Sequence, residues 1–113
     1  MSRWKNPQKI ADKHYYYTNI LTHQGPCCYE LIVAGVRGGN AQIVYVGETG
    51  NEKRRISDHA RRNSHLRKLI DDALSKGWNL YYRSQSFATK NQAINLQNRL
   101  LSKNYYLWNS IGN

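Results

Sequence analysis

Tyr45-Val46-Gly47-Glu48-Thr49, followed by Arg55 and His59, gathers into one short stretch the side chains that phosphodiester chemistry needs. Arg55 and His59 stand four residues apart, so any helix that holds them carries both on one face. A guanidinium offers a planar fork of donors matched to phosphate oxygens. An imidazole one turn further on can accept or relay a proton. Tyr45 closes a β-rich run ahead of what reads as a tight turn at Gly47, and Tyr29 lies in an earlier run of the same kind. A tyrosine hydroxyl can orient or deprotonate water only with positive charge beside it, because its ordinary pKa is about 10. The sequence leaves open which of the two tyrosines would be the base.

These groups need a scaffold, and the chain predicts one. Cys28 to Val36 is rich in Tyr, Leu, Ile and Val and reads as a strand. Arg37-Gly38-Gly39-Asn40 is a loop, and Gln42 to Val46 is a second strand, giving a hairpin with a long connection. Thr49-Gly50-Asn51-Glu52 has the form of a capping box that opens a helix running from about Gly50 to Arg62. A second helix is expected from Ser64 to Lys76, with Leu66, Leu69, Ile70 and Ala73 on one face and Gly77 as its stop. Trp78 to Arg83 alternates as a third strand. Thr89 then opens a third helix reaching Lys103, striped by Ala93, Leu96, Leu100 and Leu101. The order β-β-α-α-β-α predicts an α+β fold: a small, mainly antiparallel, three-stranded sheet flanked by about three helices. Residues 1–25 form a basic, aromatic N-terminal arm that includes His14-Tyr15-Tyr16-Tyr17 and ends at a Gly25-Pro26 turn, and residues 26–113 form the domain proper.

A length of 113 residues allows one domain with a single modest core. The formal net charge is +10, from 17 Lys and Arg against 7 Asp and Glu, which favours polyanionic partners. The rival reading, an anionic membrane surface, would need an apolar anchoring face or a lipid signal, and neither is evident. No apolar stretch approaches the ~20 residues of a membrane span, and Met1-Ser2-Arg3-Trp4-Lys5 lacks the apolar run of a signal peptide. Cys27 and Cys28 are adjacent, which suits neither a stabilising bridge nor zinc spacing and fits a reducing, cytoplasmic setting. Nucleic acid is therefore the expected partner. Lys53, Arg54, Arg61, Arg62, Arg67 and Lys68 form a basic block with Asp58 as its internal acid, suited to following a phosphate backbone. The plainer reading of such a block is a solvated helix face. The tyrosines of the arm could stack on bases, although packing against the sheet suits them better.

The ordered set resembles the GIY-YIG nuclease superfamily over about residues 25 to 109. Cys27-Cys28-Tyr29 stands where that family has Gly-Ile-Tyr, and Tyr45-Val46-Gly47 stands where it has Tyr-Ile-Gly. Arg55 and His59 match the Arg and His of its first helix, and His65 the His that some members carry at the head of the second. Asn109, after Tyr105-Tyr106-Leu107-Trp108, matches its C-terminal Asn. The resemblance implies a DNA endonuclease with Tyr29, Tyr45, Arg55, His59, His65 and Asn109 as catalytic residues. It also implies one Mg²⁺ or Mn²⁺ per active site, held by a Glu on the third helix. Double-stranded DNA is the implied substrate, and a double-strand cut would require two copies of a chain with a single site, hence a homodimer.

The family's Glu corresponds here to Gln97. At 100° per residue Gln97 lies between Ala93, Leu96, Leu100 and Leu101, near mid-stripe, where an unpaired amide would cost roughly 1–3 kcal/mol and should meet a polar partner. An amide keeps the shape of Glu and loses the charge that hard cations require. Three explanations stay open: a deliberately inactivated form, a natural member that only binds, or a replacement carboxylate, with Glu48 ahead of Asp58. The alternative function is accordingly a non-catalytic nucleic-acid-binding module on the same scaffold. A basic face that docks an acidic protein is a third. Restriction, mobile-element and repair roles are equally compatible with the sequence.

Overall fold

Alternation along the strand Cys27–Ala34 (β2) divides the core in two. The computed structural model describes residues 3–17, 19–20, 22–35 and 39–111. In it β2 is buried along its whole length, inside a four-stranded sheet whose paired neighbours all run antiparallel. The order across the sheet is Gln8–Ala11 (β1), Asn79–Ser86 (β4), β2 and Gln42–Thr49 (β3). Cys27, Tyr29, Leu31 and Val33 project to one face. There they pack with Ile56 and Ala60 of helix Glu52–Ala60 (α1) and Ile70 and Leu74 of helix Arg67–Ser75 (α2). Cys28 projects to the other face and meets Val46, then Ala93 and Leu96 of helix Lys90–Lys103 (α3). A short helix, Leu107–Ile111 (α4), is the last element among the described residues.

The α+β class and the predicted order of elements are observed, with one more strand than the three expected and the short helix α4 after the third helix. The extra strand comes from the segment read as an arm: Lys9 pairs with Tyr81 and Ala11 with Leu80, and Ile10 and Ala11 are fully buried. A four-residue run with two polar members carries too little alternation to be separated from a loop. Of the neighbouring tyrosines, Tyr17 packs against the core while Tyr15 and Tyr16 are exposed. The predicted strand end at Val36 and the loop residues Arg37 and Gly38 lie outside the described residues.

Helix ends account for the other differences. Asn51, not Thr49, caps α1, its side chain accepting from Arg54 N at 3.1 Å. The first two amides of α1, Glu52 N and Lys53 N, donate to the carbonyls of Gly25 and His23. The reciprocal capping box occurs instead at Thr89 and Gln92, opening α3. Both α1 and α2 stop in the same way, with a left-handed residue two positions past the last helical turn. For α2 that residue is Gly77 (φ 92°), as the sequence predicts; for α1 it is Arg62 (φ 59°). Arg62 N bonds His59 O and Asn63 N bonds Asp58 O, which completes the motif without a glycine.

Candidate active site

The sequence predicts a turn at Gly47, whereas in the structure this residue sits inside β3, directly opposite Tyr29 of β2. A Cβ on Gly47 would come within 2.6 Å of the Tyr29 hydroxyl and 2.9 Å of the Tyr45 ring. The residue is glycine because two tyrosines close over it. A register shift between Leu31 and Ile32 lets both Val44 and Tyr45 join the core on the α1 side, so Tyr45 leans toward Tyr29, with ring centroids 6.2 Å apart.

Over this pair lie two histidines. The fully buried His59 of α1 places Nε2 2.8 Å from the Tyr29 hydroxyl, and its Nδ1 lies 2.8 Å from Ser64 Oγ. His65, in the turn before α2, places Nε2 3.3 Å from the Tyr45 hydroxyl and is exposed. The rings of Tyr45, His59 and His65 are mutually in contact. The cluster therefore runs from a buried imidazole to one that meets solvent.

Burial dominates the electrostatics. It pushes the His59 pKa down to about 3, with Arg55 and His65 adding to the shift, so the ring is neutral across the ordinary pH range. One of its nitrogens then donates and the other accepts. Burial raises the Tyr29 hydroxyl well above its ordinary value and raises Tyr45 as well, while Arg55 opposes both shifts. The positive charge that the tyrosines need is thus present at Arg55, but desolvation outweighs it. The Arg55 backbone N donates to Asn51 O, while its guanidinium makes no hydrogen bond or ion pair among the described residues. It lines a recess of about 470 Å³ with Thr49, Gly50, Asn51, Arg54 and Asp58.

Asn109 lies on α4 and grips the edge strand: Val46 N donates to its Oδ1 and its Nδ2 donates to Val46 O, both at 2.9 Å. Those atoms position the strand that carries Tyr45. Gln97 is half-buried on α3, and its side chain meets no hydrogen-bonding partner among the described residues, contrary to the polar partner expected for it. Of the basic block, Lys53, Arg54 and Arg61 share one shallow groove along α1, while the exposed Arg67 and Lys68 belong to α2. Arg62 is committed elsewhere, with Nε 3.1 Å from Asp71 and a second nitrogen donating to Asp12 O.

Two residues of the site escaped sequence reasoning. Ser64 holds His59, and its only signal is its place just before His65. Glu52 was assigned to a capping box; it is instead completely buried and accepts from Tyr82 and Ser84, with His23 Nε2 at 2.9 Å. The fit to a divalent ion differs between positions. Gln97 offers a neutral amide, and no group of three or more His, Cys, Asp or Glu side chains suited to a metal occurs among the described residues. Glu48 does fit in its chemistry: its carboxylate has a buried oxygen, Oε2, without a hydrogen-bond partner. Its negative charge also acts on both Tyr29 and Tyr45.

Comparison with known proteins agrees with this architecture. No solved structure matches the chain. It is 31% identical, over an alignment of 123 positions, to Protein EFFECTOR OF TRANSCRIPTION 3 of Arabidopsis thaliana. That alignment covers 97% of this chain and 46% of the plant protein, so the chain spans about half the length of that relative. The family model for GIY-YIG domain-containing proteins matches residues 1–113. The chain, with its two tyrosine strands, its Arg and His on α1 and its helices on both sides of the sheet, belongs to the GIY-YIG domain family.

Proposed function

We propose that this domain is a DNA endonuclease that hydrolyses phosphodiester bonds with the help of Mg²⁺ or Mn²⁺. The observation that carries the reading is the contact between the Tyr29 hydroxyl and a neutral, buried imidazole held by Ser64. Arg55 clamps the scissile phosphate and His65 meets it at the solvent side. Arg55 helps to keep His59 unprotonated; a phosphate bound there offsets that charge and raises the proton affinity of His59. The imidazole then takes the Tyr29 proton as the hydroxyl takes one from the attacking water. A divalent ion, held by Glu48 in place of a residue at position 97, would polarise the phosphate and stabilise the leaving oxygen. Lys53, Arg54 and Arg61 follow the flanking phosphates. The name of the plant relative, an effector of transcription, is compatible with DNA as the partner. Since each chain has one such site, a double-strand cut needs two copies.

Supercoiled-plasmid nicking in Mg²⁺ tests the reading. Tyr29→Phe and Glu48→Gln should each slow nicking about 10²-fold or more, and Gln97→Glu should not slow it. Nicking equal to wild type in Tyr29→Phe would remove the proton-transfer role. Gln97 itself favours a second reading, a binding-only domain. That reading predicts DNA binding indifferent to EDTA, and no cleavage until Gln97→Glu restores the charge.

A further inference from the structure

A second basic cavity has no part in the site above. A groove of about 920 Å³ runs between the N-terminal segment, the end of β4 and the start of α3, lined by Arg3, Lys5, His23, Phe87, Gln92 and Arg99 among others. It shares no lining residue with the recess at Arg55. No acidic side chain lines it. Glu52, whose carboxylate meets His23, is fully buried and bonded to Tyr82 and Ser84.

Three cations around one cavity repel one another unless something anionic joins them. Lys5 is held in place: its backbone N donates to Ser84 O at 2.9 Å and its Nζ to Ser86 Oγ at 2.7 Å. Arg3 and Arg99 are exposed and make no ion pair among the described residues. The 14-residue α3 begins at this groove, adding the positive end of its dipole. Phe87, half-buried, supplies an aromatic surface in the wall. Cations that track a backbone beside an aromatic platform suit bases whose faces are free, which a duplex does not offer.

We propose that this groove binds an unpaired strand of nucleic acid, its phosphates on Arg3, Lys5 and Arg99 and a base against Phe87. The proposal rests on the nucleic-acid reading above and narrows its substrate to DNA with a single-stranded segment beside the duplex. The test is fluorescence anisotropy with a labelled oligothymidylate and with a duplex of equal length. Arg3→Glu/Arg99→Glu removes two exposed side chains that make no ion pair among the described residues, and should weaken oligothymidylate binding at least tenfold. The slope of log affinity against log salt should fall by about 0.7 per lost phosphate contact. Phe87→Leu should weaken oligothymidylate binding about fivefold and leave the duplex unchanged. If both variants bind oligothymidylate like wild type while Arg54→Glu/Arg61→Glu weakens binding, the groove proposal falls and the nucleic-acid reading stands. If wild type binds neither DNA, both fall. An equal effect of Phe87→Leu on the two DNAs overturns the preference for an unpaired strand.

Discussion

Tyr29 and Glu30 are neighbours on β2, yet the two sides of the sheet treat their polar groups differently. On the α3 side, both oxygens of Glu30 are paired. One oxygen accepts from Arg83 Nε at 2.7 Å and from a second guanidinium nitrogen at 2.6 Å, and the other accepts from the Tyr106 hydroxyl at 2.5 Å. The Arg83 guanidinium also lies 4.4 Å from the centre of the Trp4 ring. On the α1 side, the Tyr29 hydroxyl has one imidazole partner, Tyr45 has a longer contact to an exposed histidine, and the Arg55 guanidinium has no hydrogen-bond or ion-pair partner among the described residues. A carboxylate with both oxygens paired, one of them twice, is a lock between β2, β4 and the segment ahead of α4. Groups that keep spare bonding capacity around a recess are available to a ligand.

The largest expected effect comes from breaking the lock. Arg83→Ala leaves Glu30 buried with one hydroxyl, and the loss should be about 3 kcal/mol in urea denaturation. A loss below about 1 kcal/mol would show that Glu30 finds water and that the two faces are less different than they look.

The other face is sharpened by pH. His59 has its pKa lowered to about 3 in the fold, against an ordinary 6.5, so between these values the unfolded chain binds the extra proton. The contribution of His59 is therefore fully present above pH 6.5 and is lost as the pH falls toward 3. Over that window it makes stability fall by about 1.4 kcal/mol per pH unit. His59→Asn should flatten the dependence of unfolding free energy on pH by that amount. Parallel curves for the two proteins would mean that the ring is solvated in the native state.

The smallest effect is expected at Arg62. Its left-handed backbone costs about 1 kcal/mol, which glycine would relieve, while Arg62→Gly also removes the bonds to Asp71 and Asp12. The melting midpoint should hardly move, and DNA affinity should hold, because this guanidinium already has partners on its own side of the sheet. A clear loss of DNA affinity would return Arg62 to the phosphate-binding set.

Much of the scaffold was legible because it is written in short windows. The α3 stripe of Ala93 and Leu96, the left-handed stop at Gly77 and the Arg55–His59 spacing each depend on residues within one or two turns. The site was legible only in its ingredients. Tyr29, Tyr45, His59 and His65 could be named from the chain, but their bonds could not, and Gly47 and Glu52 were assigned to local devices they do not perform.

The sequence by itself determined three of the strands and the three longer helices, and that one face of α1 carries an arginine and a histidine, because periodicity and capping act between near neighbours. Tertiary structure alone decided that β1 joins the sheet, that Gly47 makes room for two tyrosines, that Asn109 grips Val46, and that Glu52 and Ser64 serve partners elsewhere. Those outcomes follow from strand register and from burial, which set the distance between residues far apart in the chain and the solvation of each polar group.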